Sequence, residues 1–95
     1  MPKGYLIANV RVDNPQAYET YVKNNGPLFE RHGAKVLIRG GAQEVFEGEA
    51  HPRTVVLEFE SLAAARAFYD DPDYVENRKI RQANAVTNGI LVEGA

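Results

Sequence analysis

Arg53-Thr54-Val55-Val56-Leu57-Glu58-Phe59 is the densest run of β-branched and large apolar residues in the chain. A run that is apolar on both faces reads as a central strand, covered above and below. Glu58 lies inside it and needs a partner, because an unpaired buried carboxylate is costly or takes up a proton. What covers the second face and what pairs with Glu58 decide how the chain is read.

Working outward, Tyr5 to Val12 alternates as a strand, with Leu6, Ala8, Val10 and Val12 on one face and Tyr5, Ile7, Asn9 and Arg11 on the other. Asp13-Asn14-Pro15-Gln16 starts a helix, with either Asp13 or Asn14 as cap. Tyr18, Tyr21, Val22, Leu28, Phe29 and His32 form its apolar stripe. Asn25-Gly26-Pro27 predicts a kink or break, with Pro27 opening a final turn through Arg31. Gly33 suits the left-handed residue that closes a helix. Lys35 to Arg39 is the next strand. Gly40-Gly41 ends or bulges it, and Gln43 to Glu47 reads as a short extension strand. After a loop from Glu49 to Pro52 comes the central strand, Arg53 to Glu60. Ser61 caps a second helix, with Leu62, Ala65, Phe68 and Tyr69 facing inward. Asp71 caps a third ahead of Pro72, running from Asp73 to about Ala85. Thr87 to Glu93 is the last strand.

The order is β-α-β-β-α-β with one extra helix. That is the ferredoxin-like α+β fold: a four-stranded antiparallel sheet with helices on one face. At 95 residues the whole chain, 1–95, is read as one domain. With 11 Lys and Arg against 13 Asp and Glu, signs interspersed, the net charge of −2 points away from nucleic acid and from a polybasic membrane surface. There is no cysteine, which excludes disulfides and thiol chemistry. No apolar run reaches membrane-span length. The strand pattern begins within a few residues of Met1, so no signal peptide is expected and the reading is cytoplasmic.

Alternation assigns Leu6, Ala8, Val10, Val36, Ile38, Val55, Leu57 and Phe59 to the helix side. The other face then holds Tyr5, Ile7, Asn9, Leu37, Arg39, Thr54, Val56, Glu58 and either Ile90 or Leu91, too apolar a set to be left in water. A second copy of the chain, sheet against sheet, is the expected cover, which makes the protein a homodimer. Arg39 and Glu58 share this face, and a charge-assisted pair between them is expected. On that reading, removing Glu58 strands a buried guanidinium at a cost of roughly 3–5 kcal/mol.

The other candidates are weaker. His32 ends the stripe of the first helix, and His51 precedes Pro52 in a loop. Neither has metal-ligand spacing, so no metal and no cofactor are expected. Tyr18, Tyr21, Tyr69 and Tyr74 are core residues with phenols able to hold a polar ligand. Arg78, Lys79 and Arg81 read as a solvated helical face.

Several motifs carry a resemblance. Tyr5-Leu6-Ile7-Ala8 with Val10 and Val12 is followed by Tyr18 and Tyr21, Arg39-Gly40-Gly41, Glu47-Gly48 and Val55-Val56-Leu57-Glu58-Phe59. Ser61 with Ala64-Ala65, Phe68-Tyr69, Pro72, Tyr74, Arg81 and the ending Leu91-Val92-Glu93-Gly94 complete the order. Over nearly its whole length the chain resembles the family called "domain of unknown function 1330". It departs at Asp70-Asp71, where that family more often has serine, and at Glu60, where proline is common. The resemblance implies a dimeric α+β barrel, in which two ferredoxin-like sheets close face to face. The wider superfamily includes cofactor-free monooxygenases, muconolactone isomerase-like enzymes and haem-degrading enzymes, but chemistry belongs to sites and not to folds. The resemblance also suggests that Arg81 reaches a substrate carboxylate or Glu58.

Asn9, Tyr18, His32, Arg39, Glu58 and Arg81 are therefore the candidate ligand-binding residues. Three readings stand side by side: a small-molecule-binding dimer, extending to a cofactor-independent monooxygenase- or isomerase-like enzyme; a non-catalytic binding or sensing module; and a structural dimer with Arg39–Glu58 as an interface ion pair.

Overall fold

In the computed structural model, which describes residues 2–95, the order is β1 (Gly4–Val12), α1 (Pro15–His32), β2 (Lys35–Arg39), β3 (Arg53–Phe59), α2 (Leu62–Asp70), α3 (Pro72–Asn84) and β4 (Ala85–Glu93). The four strands form one antiparallel sheet in the order β2-β3-β1-β4. This is the ferredoxin-like arrangement, with β3 and β1 in the centre.

The helix boundaries follow side-chain chemistry. Asn14, not Asp13, caps α1: its side chain accepts from the Ala17 N–H, and Pro15 takes the first helical position. Gly33 closes α1 at φ 64°. The Ser61 hydroxyl accepts from the Ala64 N–H to start α2, and Asp71 accepts from the Asp73 N–H to start α3.

Two expectations need correcting. Of the kink or break expected at Asn25-Gly26-Pro27, the break is absent: α1 runs through Pro27 as one helix. The proline removes one backbone donor, but the turn ahead of it is tied to α3. Asn77 donates to the Tyr21 carbonyl at 3.0 Å and to Asn25 Oδ1 at 2.8 Å, and its own amide oxygen accepts from Asn24 at 3.0 Å. Nor is Gln43 to Glu47 a strand. Its polar groups fold back onto the sheet instead: Gln43 donates to the His51 carbonyl and accepts from Thr54 Oγ1, leaving Phe46 96% exposed.

The core lies between sheet and helices. Leu6, Val10, Leu57 and Phe59 meet Tyr18, Tyr21 and Leu28 of α1, Ala65 and Phe68 of α2, and Tyr74 of α3. Phe68 is its centre, with ring centroids of Tyr74, Phe59 and Phe29 at 4.3, 5.4 and 5.6 Å.

The register of β2 carries a further correction. Val36 pairs with Leu57, but Ile38 pairs with Val56 and Arg39 with Val55, so Leu37 is an extra residue, a β-bulge. One inserted residue inverts the two-residue alternation beyond it. Ile38 therefore belongs to the open face and Arg39 to the helix side, the reverse of strict alternation. The expected Arg39–Glu58 ion pair does not form. Glu58 instead accepts from the Tyr5 hydroxyl at 3.2 Å and sits opposite Lys35.

Candidate functional site

The sheet's helix-facing side is not filled from edge to edge. Toward β4 its residues become small, with Ala8 opposite Gly89 in the middle of the sheet. A side chain built on Gly89 would meet only the Ile7 carbonyl and the Thr87 methyl, both at 3.9 Å. Above this floor, α1 leans on α3 through the Tyr21 and Tyr74 hydroxyls, which are 2.7 Å apart. The space left between floor and helices is a cavity of about 680 Å³.

Its lining combines an aliphatic floor, the phenols of Tyr18, Tyr21, Tyr69 and Tyr74, and the guanidinium groups of Arg39, Arg53, Arg66 and Arg81. Among the described residues, no carboxylate and no imidazole lines it. Along one wall, Arg53, Tyr18, Tyr21 and Arg81 follow one another. Arg53 lies 5.5 Å from the Tyr18 ring centroid, the two rings are 5.4 Å apart, and Arg81 lies 5.7 Å from the Tyr21 ring. Both are cation–π distances.

Each element contributes for a readable reason. Arg53 opens β3 in phase with Val55, Leu57 and Phe59, so it points where they do. Gly40, at φ 61°, lets its guanidinium pass, since a Cβ there would run into it. The Leu37 bulge turns Arg39 to the cavity side. Arg81 is not on a solvated face: it is only 9% exposed, in the last turn of α3. Its neighbour Arg78 is half-buried and stacks 3.9 Å from the Tyr69 ring centroid, while Lys79 stays exposed and pairs with Glu76.

The electrostatics follow from burial. Desolvation first, and then the Tyr21 phenol, push the Tyr74 phenol far above its ordinary range. Burial also raises Tyr18, with Arg53 pulling against it. Burial thus keeps the Tyr18 and Tyr74 phenols un-ionised at neutral pH.

Of the six residues singled out in the sequence, Tyr18, Arg39 and Arg81 converge on this cavity. The other three lie elsewhere. Asn9 is on the open face, where it donates to the His51 carbonyl at 2.9 Å and accepts from the His51 N–H at 2.6 Å, pinning the loop before β3. Glu58 shares that face. His32 joins the α3 cap, with Nε2 2.7 Å from Asp71 Oδ2 beside Arg31 at 2.9 Å. Arg53 and Thr87 were missed, although both fall in the helix-facing phase of their strands, where a polar side chain at the end of an apolar stripe is a usable signal. Among the described residues, no group of three His, Asp or Glu is placed to hold a metal ion, and no helix is long and apolar enough to cross a membrane.

The open face is ordered in rows. Ile38, Val56, Ile7 and Ile90 align across all four strands, with Thr54-Asn9-Asn88 on one side and Glu58-Tyr5-Val92 on the other. Ile38 is 46% and Ile90 57% exposed.

The family described as "Domain of unknown function (DUF1330)" matches residues 3–95. No curated protein matches the chain. Among solved structures, the RPA0582 protein of unknown function from Rhodopseudomonas palustris is 27% identical with a TM-score of 0.81, covering 99% of this chain and 83% of that one. A dimeric ferredoxin-like protein of unknown function from Thermobifida fusca is 16% identical with a TM-score of 0.64, covering 97% and 91%. SnoaB, a cofactor-independent oxygenase from Streptomyces nogalater, is 12% identical with a TM-score of 0.71, covering 100% and 95%. The last two are likenesses of fold alone.

Proposed function

The chain belongs to the DUF1330 family, and from that premise we propose that it is a small-molecule-binding protein whose site is the cavity between sheet and helices. The observation that carries this reading is the cavity itself: about 680 Å³, floored by small and aliphatic residues and walled by phenols. That volume lies within the range of ligand sites, as does the mix of an apolar body with a few convergent polar groups. A cavity without carboxylate or imidazole has no group of ordinary pKa to act as general base near neutrality. Binding is therefore the primary reading, and cofactor-independent oxygenase- or isomerase-like turnover is the reading it displaces.

The same proposal includes a homodimer closed through the open sheet face. The aliphatic row Ile38-Val56-Ile7-Ile90 supports it, because a monomer would hold that row against water. The Thermobifida fusca neighbour is described as dimeric.

Native mass spectrometry of gently purified protein tests the binding reading, with Gly89→Phe as the filled-cavity control. A small molecule carried by the wild type and lost from the variant is the expected result. A wild-type protein that carries nothing, and whose melting temperature responds to no member of a panel of small aromatic compounds, overturns it.

A further inference from the structure

We infer that the ligand is an organic carboxylate, an aromatic or alkyl acid whose head is held by Arg53 and Arg81 while its apolar body rests on the Ala8–Gly89 floor. This rests on the cavity being the binding site and goes further by assigning the ligand's charge and head group.

Three observations converge. Among the described residues Arg81 is buried beside the Tyr21 and Tyr74 phenols and has no acidic partner, although arginine almost never leaves water unless paired. The negative end of the α3 dipole favours a cation in that last turn, but such an effect is far smaller than the desolvation of a guanidinium. Arg53 Nε is buried and has no hydrogen-bond partner. The only other buried side-chain atom in that condition among the described residues is Thr87 Oγ1. Those two residues flank Val10 in one cross-strand row, Arg53 on β3 and Thr87 on β4, both lining the cavity. Orphaned buried polar atoms are rare in folded proteins and call for an explanation. Two of them in one row, lining the same cavity as a buried cation, define a donor set that is completed by an acceptor from outside the chain.

The chemistry of the set selects a carboxylate. Guanidinium is a planar fork that matches a carboxylate two bonds at a time. Thr87 adds a hydroxyl that can donate once more. Phosphate sites typically recruit backbone N–H groups from a helix N-terminus or a nest, whereas here side chains alone converge, and Arg81 lies at the C-terminal end of its helix. Two phenols between the arginines, with an aliphatic floor beneath, suit a flat or greasy body and not a sugar or a nucleotide.

Matched probes test this by calorimetry: 2-naphthoate, neutral 2-naphthamide and 2-naphthyl phosphate. Naphthoate is expected to bind at least about tenfold more tightly than naphthamide. Arg53→Gln and Arg81→Gln should each weaken naphthoate by roughly 10–100-fold, the worth of a charge-assisted hydrogen bond, while leaving naphthamide within about threefold. Arg81→Lys, which keeps the charge and loses the fork, should fall between. The wild-type comparison needs no variant, so a misfolded mutant leaves the test intact. Naphthamide binding as tightly as naphthoate overturns the anion assignment and leaves the cavity reading standing. Tighter binding of the phosphate overturns the choice of carboxylate. Binding of none of the three overturns both.

Discussion

Arg39 stands opposite Val55, on the helix-facing side of the sheet, and not beside Glu58. The single extra residue at Leu37 accounts for this. It moves a cation from the open face to the cavity and an isoleucine the other way. The two faces thereby separate in character, one lined by arginines and phenols, the other by an aliphatic row.

Glu58→Ala is consequently a mild substitution. It removes a half-buried acceptor of the Tyr5 hydroxyl and strands no arginine. The expected loss is about 0.5–1.5 kcal/mol by urea denaturation, and a loss of roughly 3–5 kcal/mol would restore the buried ion pair with Arg39.

Ile90→Arg places a charge in the middle of the aliphatic row at a position 57% exposed in the single chain. Fold stability of the monomer should change by no more than about 0.5 kcal/mol. Sedimentation should show the dimer of the wild type replaced by monomer at micromolar concentration; a wild type that sediments as a monomer would refute the interface.

Gly89→Val fills the floor without a clash, since the nearest atoms to its Cβ are at 3.9 Å. Replacing a mid-strand glycine should raise stability by about 0.5–1 kcal/mol. Naphthoate binding should be abolished by the same change. A more stable protein with undiminished affinity would place the ligand elsewhere.

Tyr74→Phe leaves the buried Tyr21 hydroxyl without its 2.7 Å partner. The cost is about 1–3 kcal/mol. Because the penalty is the orphaned group, Tyr21→Phe combined with Tyr74→Phe should cost less than the two singles added together. Strict additivity in the double-mutant cycle would show that the hydroxyls do not interact.

Acid stability should depend on Asp71. His32 first, then the Asp73 N–H and Arg31, hold its carboxyl at about 2, below the ordinary 3.8. A carboxylate depressed on folding contributes stability that is fully present above its unfolded pKa and lost as pH falls through its folded one. The wild type should therefore lose melting temperature between about pH 4 and pH 2, and Asp71→Asn should flatten that slope while still capping α3. Parallel curves for the two proteins would contradict the assignment.

The sequence by itself determined the element order, the helix caps at Ser61 and Asp71, the closing Gly33, and the fold that follows from them, while it left the cap of α1 open between Asp13 and Asn14. These are local effects, written in residues two to four positions apart, and alternation along β1 and β3 is equally local. It could not determine where alternation inverts, because a bulge at Leu37 is set by how β2 registers on β3. It could not show that α1 survives Pro27, because the contacts that tie the turn ahead of it come from Asn77, 50 positions further along. The cavity is of the same kind. Tyr18, Arg53, Arg81 and Thr87 come from four different elements, and only tertiary packing brings a buried arginine, a half-buried one and the Thr87 hydroxyl around one space. Periodicity reports which side of its own element a residue occupies. What stands across from it is decided by long-range packing, and in this protein that packing is what brings the arginines and phenols around the cavity.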